Sequence, residues 1–332
     1  MVHRIKMPRP IMRTLLLAGV TFATPAASQA QSWPGTKPFK FEVGVVPGGI
    51  IDLVPRELST YLAASLGVPV VIENRPGAGG NIAAGFVAKA EPDGHTLLAT
   101  SSNQAVNQTL LPNPGFDYQH DLVPVSMVAI AKLLLVASPT FPAETITDVI
   151  KIAKRSPKSV SIAISSIGTP GHLAAEMLAQ YGGIDLTFVP YNGLPQALPD
   201  VTANRVNLVS GNISTLLPLV RSGALKALAV TSPQRSPLAP DIPTSAEAGL
   251  RALQIDAWIC IMSSGSTPPS IVARLDEEIA KVLERPEVRD AFARQAIEIF
   301  HLNPQQLGTF LQSETVRFGE LLKQARAKAA PQ

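Results

Sequence analysis

Cysteine is nearly absent from this chain, since Cys260 is the single one in 332 residues. One thiol cannot form an intramolecular disulfide, and it excludes cysteine-rich zinc and iron–sulfur sites. Charged residues are scarce at 16%, and the two tryptophans are too few for an aromatic sugar-binding platform. Hydrophobic residues reach 46%, which excludes wholesale disorder, and the length predicts about two domains.

The local motifs of several enzyme classes are missing as well. The chain contains no Gly-Lys-Ser/Thr phosphate loop, no G-x-S-x-G nucleophile elbow and no H-E-x-x-H pair. No two of its five histidines stand at i, i+4, so neither a metal site nor serine–histidine catalysis has local support. Stretch 77–82 is similar to a dinucleotide fingerprint, but Ile82 occupies the third glycine position, and a tight turn explains it better. We therefore expect no cofactor and no metal.

Residues 1–30 have the pattern of a secretory signal peptide. A start with four bases and no acid precedes the apolar run 15–20 and the small-x-small end Ser28-Gln29-Ala30. The apolar run is far shorter than the ~18 residues that span a bilayer. We predict cleavage after Ala30 and export to the periplasm. Loss of the four bases takes the formal net charge from +3 to −1, so nucleic acid is not an expected partner.

The rest of the chain alternates strand-like and helix-like runs. Short β-rich runs such as 39–46 and 68–72 are separated by helical patterns of about ten residues. This alternation predicts an α/β protein with a mostly parallel sheet that is covered on both faces. An unusually long apolar stretch occupies 122–138.

Two α/β lobes are the simplest arrangement of these elements. Lobe 1 would comprise residues 31–130 and 250–332, and lobe 2 residues 131–249, with crossings near 128–136 and 250–262. A cleft between lobes lies at the carboxyl ends of the strands, where α/β sheets bind ligands. One large doubly wound sheet is the alternative.

Three junctions between a strand and a helix share one chemical design, at 47–52, 165–172 and 191–195. Glycine lets a ligand approach the backbone, and the first amides of a helix are unpaired donors. A carboxylate fits such a site without a basic side chain, and these loops contain neither lysine nor arginine. Capping explains part of the pattern without a ligand: Thr169-Pro170 is a good N-cap with proline at the first helical position, and Asp52 is a first-turn acid.

Longer motifs surround these junctions and reach well beyond them. They resemble the Bug-type extracytoplasmic solute receptors, which are the binding proteins of tripartite tricarboxylate transporters. The resemblance covers essentially the whole mature chain. The matching motifs are VVPGGIID at 45–52, VIENRPGAGGNI at 71–82, PDGHTLL at 92–98, GTPGHLAAE at 168–176, VPYNG at 189–193 and DIPTSAEAG at 241–249.

The resemblance implies a two-lobed fold like that of class II periplasmic binding proteins, closing on a small mono- or dicarboxylate. It also implies a monomer that works with membrane transporter subunits, and backbone amides, hydroxyls and waters that hold the carboxylate. Ordering and desolvation would leave a net affinity in the micromolar range, about −8 kcal/mol. The ligand-binding residues that the resemblance implies are Pro47, Gly48, Gly49, Asp52, Ser101, Ser102, Asn103, Ser165, Ser166, Gly168, Thr169, His172, Tyr191 and Asn192.

The chain departs from the family pattern at three places. Val46 stands where a second proline is common, and Asn192 replaces the usual lysine after Tyr191, which affects ligand preference or contacts between the lobes. The run 258–266 replaces a glycine-bearing one, and we interpret Cys260 there as a buried apolar filler.

Two other functions share these features. A hydrolase could use Ser165 or Ser166 as nucleophile with His172 as base, and Glu176 is the local candidate for the carboxylate that orients the base. A sensor that presents its ligand-loaded form to a membrane partner would have the same fold.

Overall fold

The computed structural model describes Met1 and residues 33–102, 105–107, 114–165 and 167–329, with side chains through residue 324. The predicted cleavage site after Ala30 lies outside these residues. All elements below belong to the unit Thr36–Gln332. Among the described helices, none combines the length and the apolar character that a membrane span requires.

Strands and helices alternate along the chain, which confirms the predicted α/β class. The strands are β1 Phe39–Val43, β2 Val70–Asn74, β3 Thr96–Thr100, β4 Leu122–Ala137, β5 Ser161–Ile164, β6 Thr187–Pro190, β7 Leu208–Asn212, β8 Lys226–Val230, β9 Asp256–Ser264 and β10 Ile297–Leu302. The helices are α1 Ile50–Leu66, α2 Asn81–Ala88, α3 Ile146–Arg155, α4 Pro170–Gly182, α5 Leu194–Thr202, α6 Ile213–Arg221, α7 Pro269–Leu283, α8 Pro286–Arg294 and α9 Pro304–Ala329.

Strand β4 joins two halves of one sheet. The strand order is β2-β1-β3-β9-β4-β7-β5-β6, and β10 and β8 also pair with β4. Residues 122–132 of β4 pair with β9, and those at 127–131 also pair with β10, in what we call the first sheet half. Residues 133–137 pair with β7, and those at 134–137 also pair with β8, in the second sheet half. The long apolar stretch of the sequence is therefore a single strand shared by both halves.

The expectation of a mostly parallel sheet is wrong. Among the described strands, β1 pairs in parallel with β2 and β3, and β5 pairs in parallel with β6 and β7. Strands β4 and β9 run antiparallel to their partners. A strand buried on both faces reads as a continuous apolar run in either direction, so its composition does not reveal its orientation. The lobe boundaries at 131 and 249 stay a prediction.

The core of the second sheet half is built on β4. Leu134 and Val136 are fully buried and belong to an apolar cluster with residues of α5, α6 and β7. Leu133 and Leu135, which alternate with them, are equally buried. Both faces of this segment of β4 are therefore covered.

Truncation of Leu134 tests this core. We expect Leu134→Ala to lower the free energy of unfolding by about 2–5 kcal/mol, because a fully buried leucine leaves a cavity behind. Urea denaturation measures the change. The control Val316→Ala alters an exposed side chain of α9 and should stay within about 0.5 kcal/mol. Equal effects of the two substitutions on the free energy of unfolding would contradict the assignment of Leu134 to the core.

Candidate ligand site

Each sheet half brings two of the predicted loops to one edge. Strands β1 and β3 are parallel, as are β5 and β6, and their carboxyl ends lie side by side. The loop after β1 (44–49) therefore neighbours Ser101 and Ser102 after β3. In the second half, residues 165–169 and 191–193 are neighbours in the same way, and Tyr191 N–H donates to Ile164 C=O at 2.9 Å.

Asp52 holds the first loop in place. Its carboxylate accepts hydrogen bonds from Gly48 N–H at 2.9 Å and from Arg56 Nε at 2.9 Å. Asn74 Nδ2 donates to its other oxygen at 2.8 Å and to Val45 C=O at 3.0 Å. Gly48 has a φ of +99°, a conformation that favours glycine. Thus Asp52, although predicted as a ligand residue, has both oxygens engaged within the chain.

The hydrogen bonds to Asp52 also lower the pKa of its carboxyl group. Burial raises the pKa of Asp52, but the hydrogen bonds from Arg56, Asn74 and Gly48 outweigh it and hold the pKa below its usual value. Arg56 is the cation nearest the first loop in the sequence, and it also donates to Asn74 Oδ1 at 2.7 Å. Its guanidinium group is therefore paired with Asp52 and Asn74. Pro47, Gly48 and Gly49 are exposed. The loop therefore presents backbone atoms to its surroundings.

Asn74 is a residue that sequence reasoning missed. It ends β2 inside a motif that carried the resemblance, but no function was assigned to it. The available signal was its position, since an asparagine at a strand end beside a glycine-rich turn can pair with backbone groups. Gly44, at the end of β1, lies against that turn: a Cβ atom there would be 2.7 Å from Gly80 Cα. A larger residue at position 44 would push the two loops apart.

The loop after β5 is built around the start of α4. Thr169 is the N-cap and accepts from His172 N–H at 3.4 Å, with Pro170 at the first helical position, which confirms the predicted cap. Gly168 N–H donates to His172 Nδ1 at 3.1 Å. Ser165 Oγ lies 3.4 Å from Thr169 Oγ1. Ser165, Thr169 and His172 therefore lie together at the N-terminus of α4.

In the described part of these loops, a hydrogen bond joins the two sheet halves. Ser102 Oγ donates to Gly168 C=O at 3.0 Å, and both residues are buried. Gly79 also lies at this contact, because a Cβ atom there would be 3.6 Å from Ile167 O. Ser101, beside Ser102, is 1% exposed, and its hydroxyl has no hydrogen-bond partner in the described structure. Ser102, Gly168 and His172 are thus brought together.

The remaining predicted ligand residues are Tyr191, Asn192, Asn103 and Ser166. Tyr191 OH donates to Asp200 Oδ2 at 2.7 Å, and Asp200 also accepts from Arg205 at 2.9 Å. The Tyr191 hydroxyl is therefore occupied within the second sheet half. Asn192 is exposed. Asn103 and Ser166 lie outside the described residues.

Of the two nucleophiles in the hydrolase alternative, the described residues include Ser165 and not Ser166. His172 Nδ1 faces Gly168 N–H, and Nε2 lies 3.4 Å from Glu176 Oε1. In the described part of the chain, no serine hydroxyl meets either ring nitrogen. No group of three or more possible metal ligands occurs among these residues. Cys260 is fully buried, as predicted for an apolar filler, and burial raises the pKa of its thiol.

The fold matches those of solved solute-binding proteins. The R. palustris protein Rpa4515, solved with adipate, has a TM-score of 0.80 at 30% identity, covering 88% of this chain and 97% of its own. MatC from Rhodopseudomonas palustris, solved with bound malate, has a TM-score of 0.76 at 28% identity, covering 86% and 98%. The fold is therefore the two-lobed fold of periplasmic binding proteins.

Sequence comparison identifies the family. Residues 54–326 match the family described as "Tripartite tricarboxylate transporter family receptor". Protein BugT of Bordetella pertussis is 34% identical over 321 residues, covering 95% of this chain and 98% of its own. This chain belongs to the tripartite tricarboxylate transporter receptor family, which confirms the resemblance to Bug-type receptors. The family consists of periplasmic solute-binding receptors.

Neutralising Asp52 tests its role in the first loop. Its folded-state pKa is lowered, so its contribution to stability is present above the unfolded-state pKa of about 3.9 and is lost as the pH falls through the folded-state value. We expect Asp52→Asn to cost about 1–3 kcal/mol of unfolding free energy at pH 7 and progressively less below pH ~4.

Chemical denaturation across this pH range measures the effect. Asp185→Asn is the control, because Asp185 is an exposed residue, and it should change stability by less than about 0.5 kcal/mol. A cost for Asp52→Asn that stays constant from pH 7 to pH 3 would contradict the pKa direction.

Proposed function

We propose that this protein is an exported receptor that captures a small dicarboxylate between its lobes and presents it to the membrane subunits of a tripartite transporter. Membership of the receptor family supports this role, as do relatives solved with adipate and with malate. The N-terminal pattern of bases, apolar run and small residues supports export. We propose that it acts as a monomer.

The observation that carries this proposal is the lack of cationic side chains at the loops. Residues 44–49, 101–102, 165, 167–169 and 191–193 contain no lysine or arginine. Arg56 pairs with Asp52, and Arg75 pairs with Glu42 at 2.5 Å and with Glu73 at 2.8 Å. The positive potential at the loops would come from the N-termini of α1 and α4, whose amides suit a carboxylate.

The two ends of a dicarboxylate would meet different groups. Gly49 is the N-cap of α1 and has no side chain to cap the first-turn amides. Asp52 N–H donates to Gly49 C=O at 2.9 Å, so the amides of Ile50 and Ile51 are the ones that a ligand would meet. Ser101 offers a buried hydroxyl without a partner, and an unsatisfied buried hydroxyl is costly unless a ligand or water pairs with it. The proposed ligand residues are Pro47, Gly48, Gly49, Ser101, Ser102, Asn103, Ser165, Ser166, Gly168, Thr169, Tyr191 and Asn192. Asp52 holds the first loop, and His172, whose ring nitrogens face Gly168 and Glu176, holds the loop after β5.

Lobe closure would bury the ligand. We propose that lobe 1 (31–130 and 250–332) moves against lobe 2 (131–249) about β4 and the segment near 250–262. The Ser102–Gly168 hydrogen bond supports a closed arrangement, since it links the loops that follow β3 and β5. Closure excludes water, which strengthens each hydrogen bond to the trapped carboxylate.

A panel of carboxylates tests the receptor function. We expect malate or adipate to raise the melting temperature, because a ligand present at a hundred times its Kd stabilises the folded state by about 2.7 kcal/mol. The matched dimethyl esters should have no effect, since they lack the charge that helix amides bind. Absence of any shift across mono-, di- and tricarboxylates, or sustained conversion of one of them to product, would reject the proposal.

The first loop is tested through Gly48. We expect Gly48→Val to weaken binding of the panel's best ligand at least tenfold, since valine disfavours the φ of +99° and the loop must change shape. Gly223→Val is the matched control, because Gly223 has a φ of +77° with open space around it and follows α6, away from the loops. Calorimetry measures both. Equal losses of affinity would point to general destabilisation instead.

A further inference from the structure

A chain of three polar contacts runs from inside α4 to the loop after β3. Glu176 Oε1 lies 3.4 Å from His172 Nε2, and His172 Nδ1 accepts from Gly168 N–H at 3.1 Å. The carbonyl of Gly168 in turn accepts from Ser102 Oγ at 3.0 Å. The imidazole of His172 thus contacts the residue, Gly168, that accepts the hydrogen bond from Ser102 in the other sheet half.

These contacts indicate which tautomer a neutral His172 ring adopts. An N–H donor faces Nδ1, so this nitrogen must carry a lone pair, and the proton of a neutral ring must lie on Nε2, facing the Glu176 carboxylate. A doubly protonated ring would place an N–H at Nδ1, opposite the N–H of Gly168. Two donors cannot pair, so the contact with Gly168 would be lost while the one with Glu176 would be strengthened.

Gly168 depends on this contact for its orientation. Its φ is +80°, in the left-handed region, and both its N–H and its C=O are engaged. The N–H belongs to the peptide unit between Ile167 and Gly168, and the C=O to the unit that follows. Loss of the acceptor would therefore reach the C=O through rotation about the φ and ψ angles of Gly168, which glycine allows. The N-cap bond from His172 N–H to Thr169 Oγ1 involves no ring atom, so α4 itself can stay folded.

We propose that His172 is the positioning residue of the contact between the lobes, and that its neutral form is required for the closed, ligand-holding state. This inference rests on the proposed function as a receptor that closes around its ligand. Acidification would protonate the ring, release Gly168 from His172 and free Ser102, so that the receptor opens and gives up its ligand.

The described side chains show which titratable group contacts the ring. Glu176 on α4 is the titratable side chain in contact with it among the described residues, and β6 presents the edge of Phe188 at 6.4 Å between ring centroids. Strands β5 and β7, which pack on α4, contain no titratable residue. Helix α9 meets α4 through Gln324 and Gln180, about two turns from His172. A pH response of the contact would therefore arise from the His172–Glu176 pair.

The first experiment follows the opening of the free protein. Fluorescent labels at Thr60→Cys on α1 and Lys154→Cys on α3 report the distance between the lobes, and both positions are exposed. Cys260 is fully buried with a raised thiol pKa, so it should stay unlabelled. We expect energy transfer to fall between pH 7.5 and pH 5.5. Nitrogen-15 NMR of the wild-type imidazole should show the Nε2–H tautomer at pH 7.5.

Matched variants separate positioning from folding. His172→Asn places a neutral acceptor near Nδ1, so it should keep the closed state at both pH values. His172→Gln reaches towards Glu176 but leaves Gly168 unpaired, and Ser102→Ala removes the donor from the other half, so both should be open at both pH values. An Nδ1–H tautomer, or an equal pH response in wild type and His172→Asn, would overturn the proposal.

Adipate binding distinguishes this inference from the receptor function. We expect adipate to bind the wild type about tenfold more weakly at pH 5.5 than at pH 7.5, and His172→Asn to lose much less, although the ionisation of adipate is the same for both. Binding that weakens equally in both proteins would reject the role of His172 and leave the receptor function intact. An absence of carboxylate binding at either pH, with the energy-transfer change still present, would reject the receptor function alone.

Discussion

The buried carboxylate of Asp52 is the interaction on which the first loop depends. A charge that is 1% exposed is costly unless it is fully hydrogen-bonded, and here Gly48, Arg56 and Asn74 supply those bonds. The bond to Gly48 fixes the turn after β1, and the bond to Arg56 pairs the buried carboxylate with an exposed cation. Both effects leave backbone amides, rather than a charged side chain, at the surface of the loop.

A second constraint is the continuity of β4. One strand of 16 residues supplies hydrogen bonds to β9 and β10 along its first part and to β7 and β8 along its second. The two halves therefore share one strand. Among the described residues, their ligand loops also meet at the hydrogen bond from Ser102 to Gly168. In the proposed closure, β4 would keep the two lobes joined.

The elements of the fold were largely predictable from sequence. The N-cap at Thr169 and the first-turn position of Asp52 follow from local capping chemistry, and the structure has both. Strand β10 was missed, because a short segment between two helical patterns gains its hydrogen bonds only from β4. The pairing directions of β4 and β9 were also missed, since apolar composition is the same for both orientations.

The candidate site also combines features that the sequence contains with features that only the tertiary structure decides. Its residue types, its glycines and its lack of lysine and arginine are properties of the sequence, because they follow from local chemistry at each strand end. Their partners were decided by the tertiary structure: Asn74 reaches Asp52 across 22 positions, and Ser102 reaches Gly168 across 66. Whether a side chain faces a ligand or a neighbour depends on which distant groups the sheet brings within hydrogen-bond reach, and a linear pattern does not contain those distances.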